Sequence, residues 1–430
     1  MPRAAPVTSA VRPSSRSVMI LSPLRLCPTP AGASVPPMRD DIPTEAEALL
    51  SALVTAESVN PPGRTVAAAA VAEDWLAARG LGAETVAAVP EKPNLVVRVE
   101  NGAGPHLVLN AHLDTVPPGD RAAWSVEPLA LTPRDGRLYG LGTGNMKGAA
   151  AAMMLATDRL ARDRAAWRGT LTLTLVADEC TFGPDGAAHL LKVRPDLLGD
   201  WLICGEGPGG MHLAVAEKGL LWVRLRARGR VGQGMLTTRG SAATARLAGA
   251  LAEIDGWNEM TAVPPQAGLD HDANREGMRL SANIGRIAGG AFVSQAASAA
   301  EAEIDFRLPV GLTVAEMGAR LDALCAARPG LSWEVIKGWD PNGSDPEGAV
   351  AEAVRAAATE VRGAAPRDVT RLPASDASRW RARGVPAVCY GPQPDLASGV
   401  DDHVVRADFL DCIRVYERAA HRLLAPQTAE

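Results

Sequence analysis

The sequence predicts a mixed α/β fold, a mostly parallel sheet flanked by helices, with a smaller α+β module inserted into it. Three observations carry this. From residue 44 onward, apolar strand-like runs alternate with amphipathic helical stretches, the rhythm of a parallel sheet. Three of the runs end in polar clusters (His112-Leu113-Asp114, Asp178-Glu179-Cys180 and Gly205-Glu206), and such sheets place their chemistry at the carboxyl ends of strands. After Lys218 the pattern changes. There LLWVRLRARG sets Leu221, Val223, Leu225 and Ala227 against Arg224, Arg226 and Arg228, a strand with one wet face, as antiparallel sheets have.

Taken in order, amphipathic helices are expected over 44–59 and 65–80, parted by the Asn60-Pro61-Pro62-Gly63 breaker. NLVVRVE and HLVLNAH read as strands, and the Ala-rich run from Lys147 to Leu160 as a helix. LTLTLVAD alternates and stops at two acids, and WLIC is a short buried strand. In the inserted module a helix from about Ser241 to Gly256 follows the first strand. SANIGRIAGG and AEAEIDFRLPVG are further strands, and VAEMGARLDALCAARPG is a helix. Beyond the turn-rich GWDPNGSDPEG, the helix AVAEAVRAAATEVRG, the strand VPAVCYG and a last helix from about Ala407 to Leu424 resume the first style. The domain expectation is therefore a discontinuous α/β domain over 38–216 and 331–430, interrupted by an inserted α+β module over 217–330. Residues 1–37, rich in Pro, Ser and Arg, read as a disordered extension or an early start, with Met38 opening the folded chain.

The chain is 430 residues long, enough for two domains with their own cores. Its net charge of −5 argues against a nucleic-acid partner. No apolar run reaches the roughly 20 residues that span a bilayer, so no membrane partner is expected. Six cysteines (Cys27, Cys180, Cys204, Cys325, Cys389, Cys412) stand apart without CxxC spacing, which excludes a zinc ribbon and points to a reducing, cytoplasmic setting.

His112-x-Asp114 at a strand end is the spacing of a metal-binding imidazole with an orienting carboxylate. It is followed by Thr115-Val116-Pro117, Trp124, Asp135-Gly136-Arg137-Leu138-Tyr139-Gly140 and Met146-Lys147-Gly148. In that order the chain resembles the M20 family of zinc-dependent aminoacylases, deacylases and carboxypeptidases, acetylornithine deacetylase and succinyl-diaminopimelate desuccinylase among them. The resemblance runs over about residues 44–425. It takes in Ser58 to Gly63, Glu217-Lys218-Gly219, Asp305-Phe306-Arg307, Ser375-Asp376-Ala377 and Asp401-Asp402-His403-Val404.

The resemblance implies two zinc ions on five side chains, a catalytic domain, and an inserted lid or dimerisation domain that forms a homodimer. Position by position, the first His is His112, its orienting acid is Asp114, the general base is Glu179 and a carboxylate ligand is Glu206. The bridging Asp falls on Asn145, a second ligand on Cys180, the last His on Ser398, the lid His on Gln233 and the lid Asn on Ser294. Arg307 and Asp376 lie where relatives frame the acyl-amino-acid end. Amide and hydroxyl groups are poor replacements for zinc ligands. The expectation is therefore that no cofactor is held, beyond at most a residual single zinc at His112 and Glu206.

The function expected on these grounds is a metal-independent, non-hydrolytic biosynthetic enzyme. Catalysis would rest on Glu179 with Asp114 and His112. Asn145, Cys180, Glu206, Gln233, Arg307, Asp376 and Ser398 would line the place for an amino-acid-like substrate, free or on an amino-group carrier protein. Ring closure, elimination and acyl transfer are the candidate reactions. The alternatives are a zinc-dependent amidohydrolase of N-acyl amino acids and a non-catalytic binding protein.

Overall fold

Residues 42–261, 269, 274–394 and 399–426 are described by the computed structural model. The expectations for residues 1–37 and for Ser398 lie outside these residues. The larger of two main sheets runs in the order Ala83–Val86, Asn94–Asn101, Gly169–Val176, His106–His112, Trp201–Cys204, Ala387–Cys389, Leu213–Glu217, Asn342–Gly343, and Asp368–Arg371 also pairs with Leu213–Glu217. Its centre is parallel: His106–His112 lies between Gly169–Val176 and Trp201–Cys204, and Trp201–Cys204 adjoins Ala387–Cys389 in the same sense. The margins at Ala83–Val86 and Asn342–Gly343 pair antiparallel.

Alternation along these strands feeds two cores. Leu107, Leu109 and Ala111 pack on one face with Leu171, Leu173 and Leu175, beneath the helices Ile42–Thr55, Gly148–Arg162 and Arg406–Leu423. Val96, Val108, Leu202 and Ala214 pack on the other with Leu190, Leu191 and Trp380 from the helices Ala187–Val193 and Ala377–Arg381. The helix Gly148–Arg162 is buried on nearly every side, and its Ala run allows that close approach.

The inserted module is a four-stranded antiparallel sheet, Ser281–Gly289, Ala299–Leu308, Gly219–Arg228, Leu331–Trp339. Leu221, Val223, Leu225 and Ala227 are buried under the helices Ala243–Asp255 and Val314–Ala326, as the alternation predicts. On the opposite face Arg224 and Arg226 reach Glu303, Glu301 and Glu334.

The boundary expected at residue 330 does not match the pairing. Leu331–Trp339, assigned from sequence to the larger domain, is the outer strand of the smaller sheet, in register from Leu331 opposite Ala227 to Trp339 opposite Leu220. An edge strand contributes few buried side chains, so LSWEVIKGW lacks the apolar alternation that marks its neighbours. The chain re-enters the large sheet at Asn342, paired with Glu217, the residue from which it left.

Candidate active site

The cluster forms where three adjacent strands end. His112 is the last residue of its strand, which extends by a backbone hydrogen bond from Leu113 to Val176. Beyond Val176 the chain turns at Asp178, which takes a left-handed φ of 57° and so brings Glu179 and Cys180 back across the strand ends. Gly183 accommodates this turn, since a Cβ there would fall 2.0 Å from an Asp178 carboxylate oxygen. Glu206 follows the strand Trp201–Cys204.

Asp114 is fully buried and heavily bonded. It accepts hydrogen bonds from Asn60 Nδ2 at 2.8 Å and from the backbone N–H groups of Glu179 at 3.2 Å and Cys180 at 3.0 Å. Burial works against its charge, but the His112 contact and these donors prevail and hold its pKa at about 2. Asp114 thus clamps the loop that carries Glu179. His112 Nδ1 meets the backbone carbonyl of Asp114 at 2.9 Å, closer than the Asp114 carboxylate at 3.4 Å. The orienting group expected in the carboxylate is therefore chiefly the main-chain oxygen two residues on.

His112 Nε2 then faces three oxygens: Asn145 Oδ1 at 3.2 Å, Glu179 Oε2 at 3.5 Å and Glu206 Oε1 at 3.5 Å. Burial would lower the imidazolium pKa, but the bonds to Asp114 and Glu206 and the charge of Glu179 reverse this and raise it well above its usual value. Burial, followed by the charge of Glu206, drives the Glu179 pKa well up. Asp376 is also pushed up, to about 6, by burial against the pull of Arg379 at 3.1 Å. Burial and the nearby Asp114 likewise raise the Cys180 thiol, which keeps it protonated and opposes a nucleophilic role.

Of the residues expected in the site, His112, Asp114, Asn145, Glu179, Cys180 and Glu206 converge, and Asp376 lies within their field. Two do not join them. Arg307 pairs along its own strand with Asp305 at 3.0 Å. Gln233 lies exposed in a short ribbon opposite Gln295.

Two participants escaped the sequence reading. Asn60, read as part of a breaker, is buried and links Asp114 to Asp178. Arg371, only 3% exposed, donates from Nη2 to Glu206 Oε1 at 3.0 Å. Its strand, Asp-Val-Thr-Arg, carries one apolar residue and gave no pattern to signal it.

Fold and site together define a hydrolase-like α/β protein with an inserted antiparallel module, and the comparisons give the family. The sequence matches peptidase family M20/M25/M40 over residues 108–422. It is 30% identical to the succinyl-diaminopimelate desuccinylase of Stenotrophomonas maltophilia (strain R551-3) over 350 residues, 78% of this chain and 88% of the relative. In fold it is similar to human carnosine dipeptidase 1, at a TM-score of 0.68 and 17% identity, over 89% of this chain and 96% of that one. A Bacillus subtilis protein described as a dinuclear metal-binding peptidase of the M20 family aligns with a TM-score of 0.64 and 13% identity, over 90% and 99%. The chain belongs to the M20 peptidase family.

The expectation that no cofactor is held is overturned. His112, Glu179 and Glu206 are all buried, and each offers a ligand atom within 4.8 Å of the others. Glu206 Oε2 is a buried oxygen without a hydrogen-bond partner. Imidazole and carboxylate are zinc ligands, and an orphaned carboxylate oxygen beside an oriented imidazole is what a cation would satisfy. The residues fit a divalent metal. Reading the family positions singly gave weight to the replacements at Asn145 and Cys180 and too little to the oxygens that remain.

Proposed function

We propose that this protein is a metal-dependent amidohydrolase that cleaves the amide bond of an N-acyl amino acid or a small peptide. Membership of the M20 family and 30% identity to a desuccinylase support the class. The observation that carries the reading is the buried cluster of His112, Glu179 and Glu206, whose ligand atoms lie within 4.8 Å of one another while Glu206 Oε2 has no hydrogen-bond partner. His112 and Glu206 would hold the ion, with the Asn145 amide oxygen next to them. A divalent ion bound there would polarise the scissile carbonyl and lower the pKa of an attacking water.

Glu179 is the general base in this reading. Its carboxylate faces the same imidazole nitrogen, and its place in the site, buried and beside Glu206, favours taking up a proton. Asp114 keeps that carboxylate in place through the Glu179 N–H. Asp376, braced by Arg379, is a candidate contact for the polar end of the substrate. A homodimer is proposed through the inserted module, where Ser281–Gly289 is an edge strand and Ile287 and Phe292 are exposed. Light scattering of the purified protein should give twice the chain mass.

The test is hydrolysis of a panel containing N-succinyl-diaminopimelate, N-acetyl amino acids and dipeptides. Turnover should stop on chelation and return with zinc, and Glu179→Gln should lower kcat by about 10²–10⁴-fold. Turnover that survives exhaustive chelation would overturn the reading.

A further inference from the structure

The turn that carries Glu179 and Cys180 is held at both ends. Asp178 and Phe182 take left-handed backbone angles, φ 57° and 51°, which are unfavourable for any residue with a Cβ and most of all for a bulky one. At the first end polar bonds compensate: the Asp178 carboxylate accepts from Lys92 Nζ at 2.8 Å and from Asn60 Nδ2 at 3.2 Å. At the second end the support comes from rings and a cation. The Phe182 ring lies 4.7 Å from the Trp339 ring, centroid to centroid, and the Arg379 guanidinium carbon stands 4.0 Å from the Phe182 centroid. Arg379 also donates from Nη2 to the Gly183 carbonyl at 2.9 Å.

Trp339 belongs to the inserted module. It ends the edge strand Leu331–Trp339, opposite Leu220, and so lies where that module joins the larger domain. Lys337 on the same strand sets its ammonium near the ring centroids of Trp339, Trp222 and Phe182, at 5.2, 6.0 and 5.9 Å. Attraction between the cation and the rings ties the three aromatics together. A strained residue keeps its conformation only where its surroundings over-determine it, and the surroundings of Phe182 come from both modules. The Phe182 N–H closes the turn on the Glu179 carbonyl, so a shift of Phe182 moves the backbone of Glu179.

We propose that Trp339 is a positioning residue for Glu179: by packing on Phe182 it holds the turn in which the general base stands, so that the inserted module completes the active site of its own chain. The inference rests on the metal-dependent reading for the role of Glu179, and adds a residue of the second module that keeps it in place.

Kinetics and hydrogen exchange test it together. Trp339→Leu should lower kcat by about 10–100-fold with KM unchanged. The amides of residues 179–183 should exchange about tenfold faster or more, read by mass spectrometry, while those of the strand His106–His112 keep their wild-type rate. Trp339→Phe, which restores a ring, should recover most of both effects. In a double-mutant cycle with Phe182→Leu the two losses in kcat should not add, because the same contact is removed twice. No change in kcat or exchange, one change without the other, additive losses, or a rise in KM alone, which would make the rings a substrate contact, overturns this inference and leaves the metal-dependent reading intact. A wild type that hydrolyses no member of the panel overturns that reading, and exchange in Trp339→Leu then decides this inference by itself: faster exchange supports it and unchanged exchange refutes it. Should Trp339→Leu fail to fold, Phe182→Leu is judged by the same two measurements.

Discussion

Two buried carboxylates eleven residues apart in the chain, Glu206 and Glu217, are each paired with a buried arginine, yet their surroundings differ. Glu217 is saturated. It receives Arg381 at 3.1 Å, the Ser375 backbone N–H at 3.1 Å, the Ser375 hydroxyl and the Cys389 thiol at 3.4 Å, so both of its oxygens are engaged. Glu206 receives Arg371 on one oxygen, and its other is buried without a partner. Burial and an ion pair are common to both. What separates them is the bond left unmade on Glu206, on a carboxylate that also faces His112 Nε2 at 3.5 Å.

Substituting the two acids should break the comparison most sharply. Glu217→Ala strands Arg381 and should cost about 3–5 kcal/mol in urea denaturation, while the protein that still folds keeps its zinc affinity. Glu206→Gln should instead take zinc binding below detection in calorimetry, and it too should lose stability, because the buried Arg371 keeps a hydrogen-bond acceptor but not its compensating charge.

A second contrast is with Lys147, a buried amine that donates to the Ala56 carbonyl at 2.9 Å and is not matched to a carboxylate as the arginines are. Burial lowers its pKa from 10.5 to about 7. The unfolded chain therefore binds the proton more tightly than the folded one over that interval. Stability from this group is fully present only above about 10.5 and is lost as pH falls through about 7. Between pH 9 and pH 7 the wild type should lose roughly 2 kcal/mol that Lys147→Met does not lose, as measured by denaturation at the two pH values.

The smallest effect is expected outside the interior. Arg226 bridges Glu301 and Glu334 on the wet face of the inserted sheet, where all three are partly solvated. Arg226→Ala should leave the denaturation midpoint unmoved, which would show that burial, and not the ion pair as such, sets the scale of the other changes.

Much of this was legible in the chain. His112 ends its strand, Glu179 and Glu206 stand just beyond theirs, and strand ends in a parallel sheet converge, so three polar endings foretold one cluster. Leu221 to Ala227 announced their buried face by simple alternation. Arg371 could not be found that way. Its partner is 165 residues distant, and the pairing that joins them, Asp368–Arg371 alongside Leu213–Glu217, depends on a short strand with little pattern. Asn60 was hidden for a different reason: an amide before two prolines looks like a turn, and its role appears only when Asp114 and Asp178 are brought to it. The cofactor was misjudged because replaced positions can be counted in a sequence, whereas an unsatisfied oxygen exists only in three dimensions.

The pairing of Glu217 with Asn342 has one more implication. The chain leaves the large sheet and returns to it side by side, and a Cβ on Gly219 would fall 2.5 Å from the Pro341 backbone nitrogen, so the two crossings nearly touch. Away from these crossings the insertion is fastened a second time, where the Asn274 side chain accepts the Thr370 N–H at 2.8 Å and donates to the Thr370 hydroxyl at 3.3 Å. Exchanging the module for one from another sequence therefore requires that second fastening to be matched as well as the two crossings.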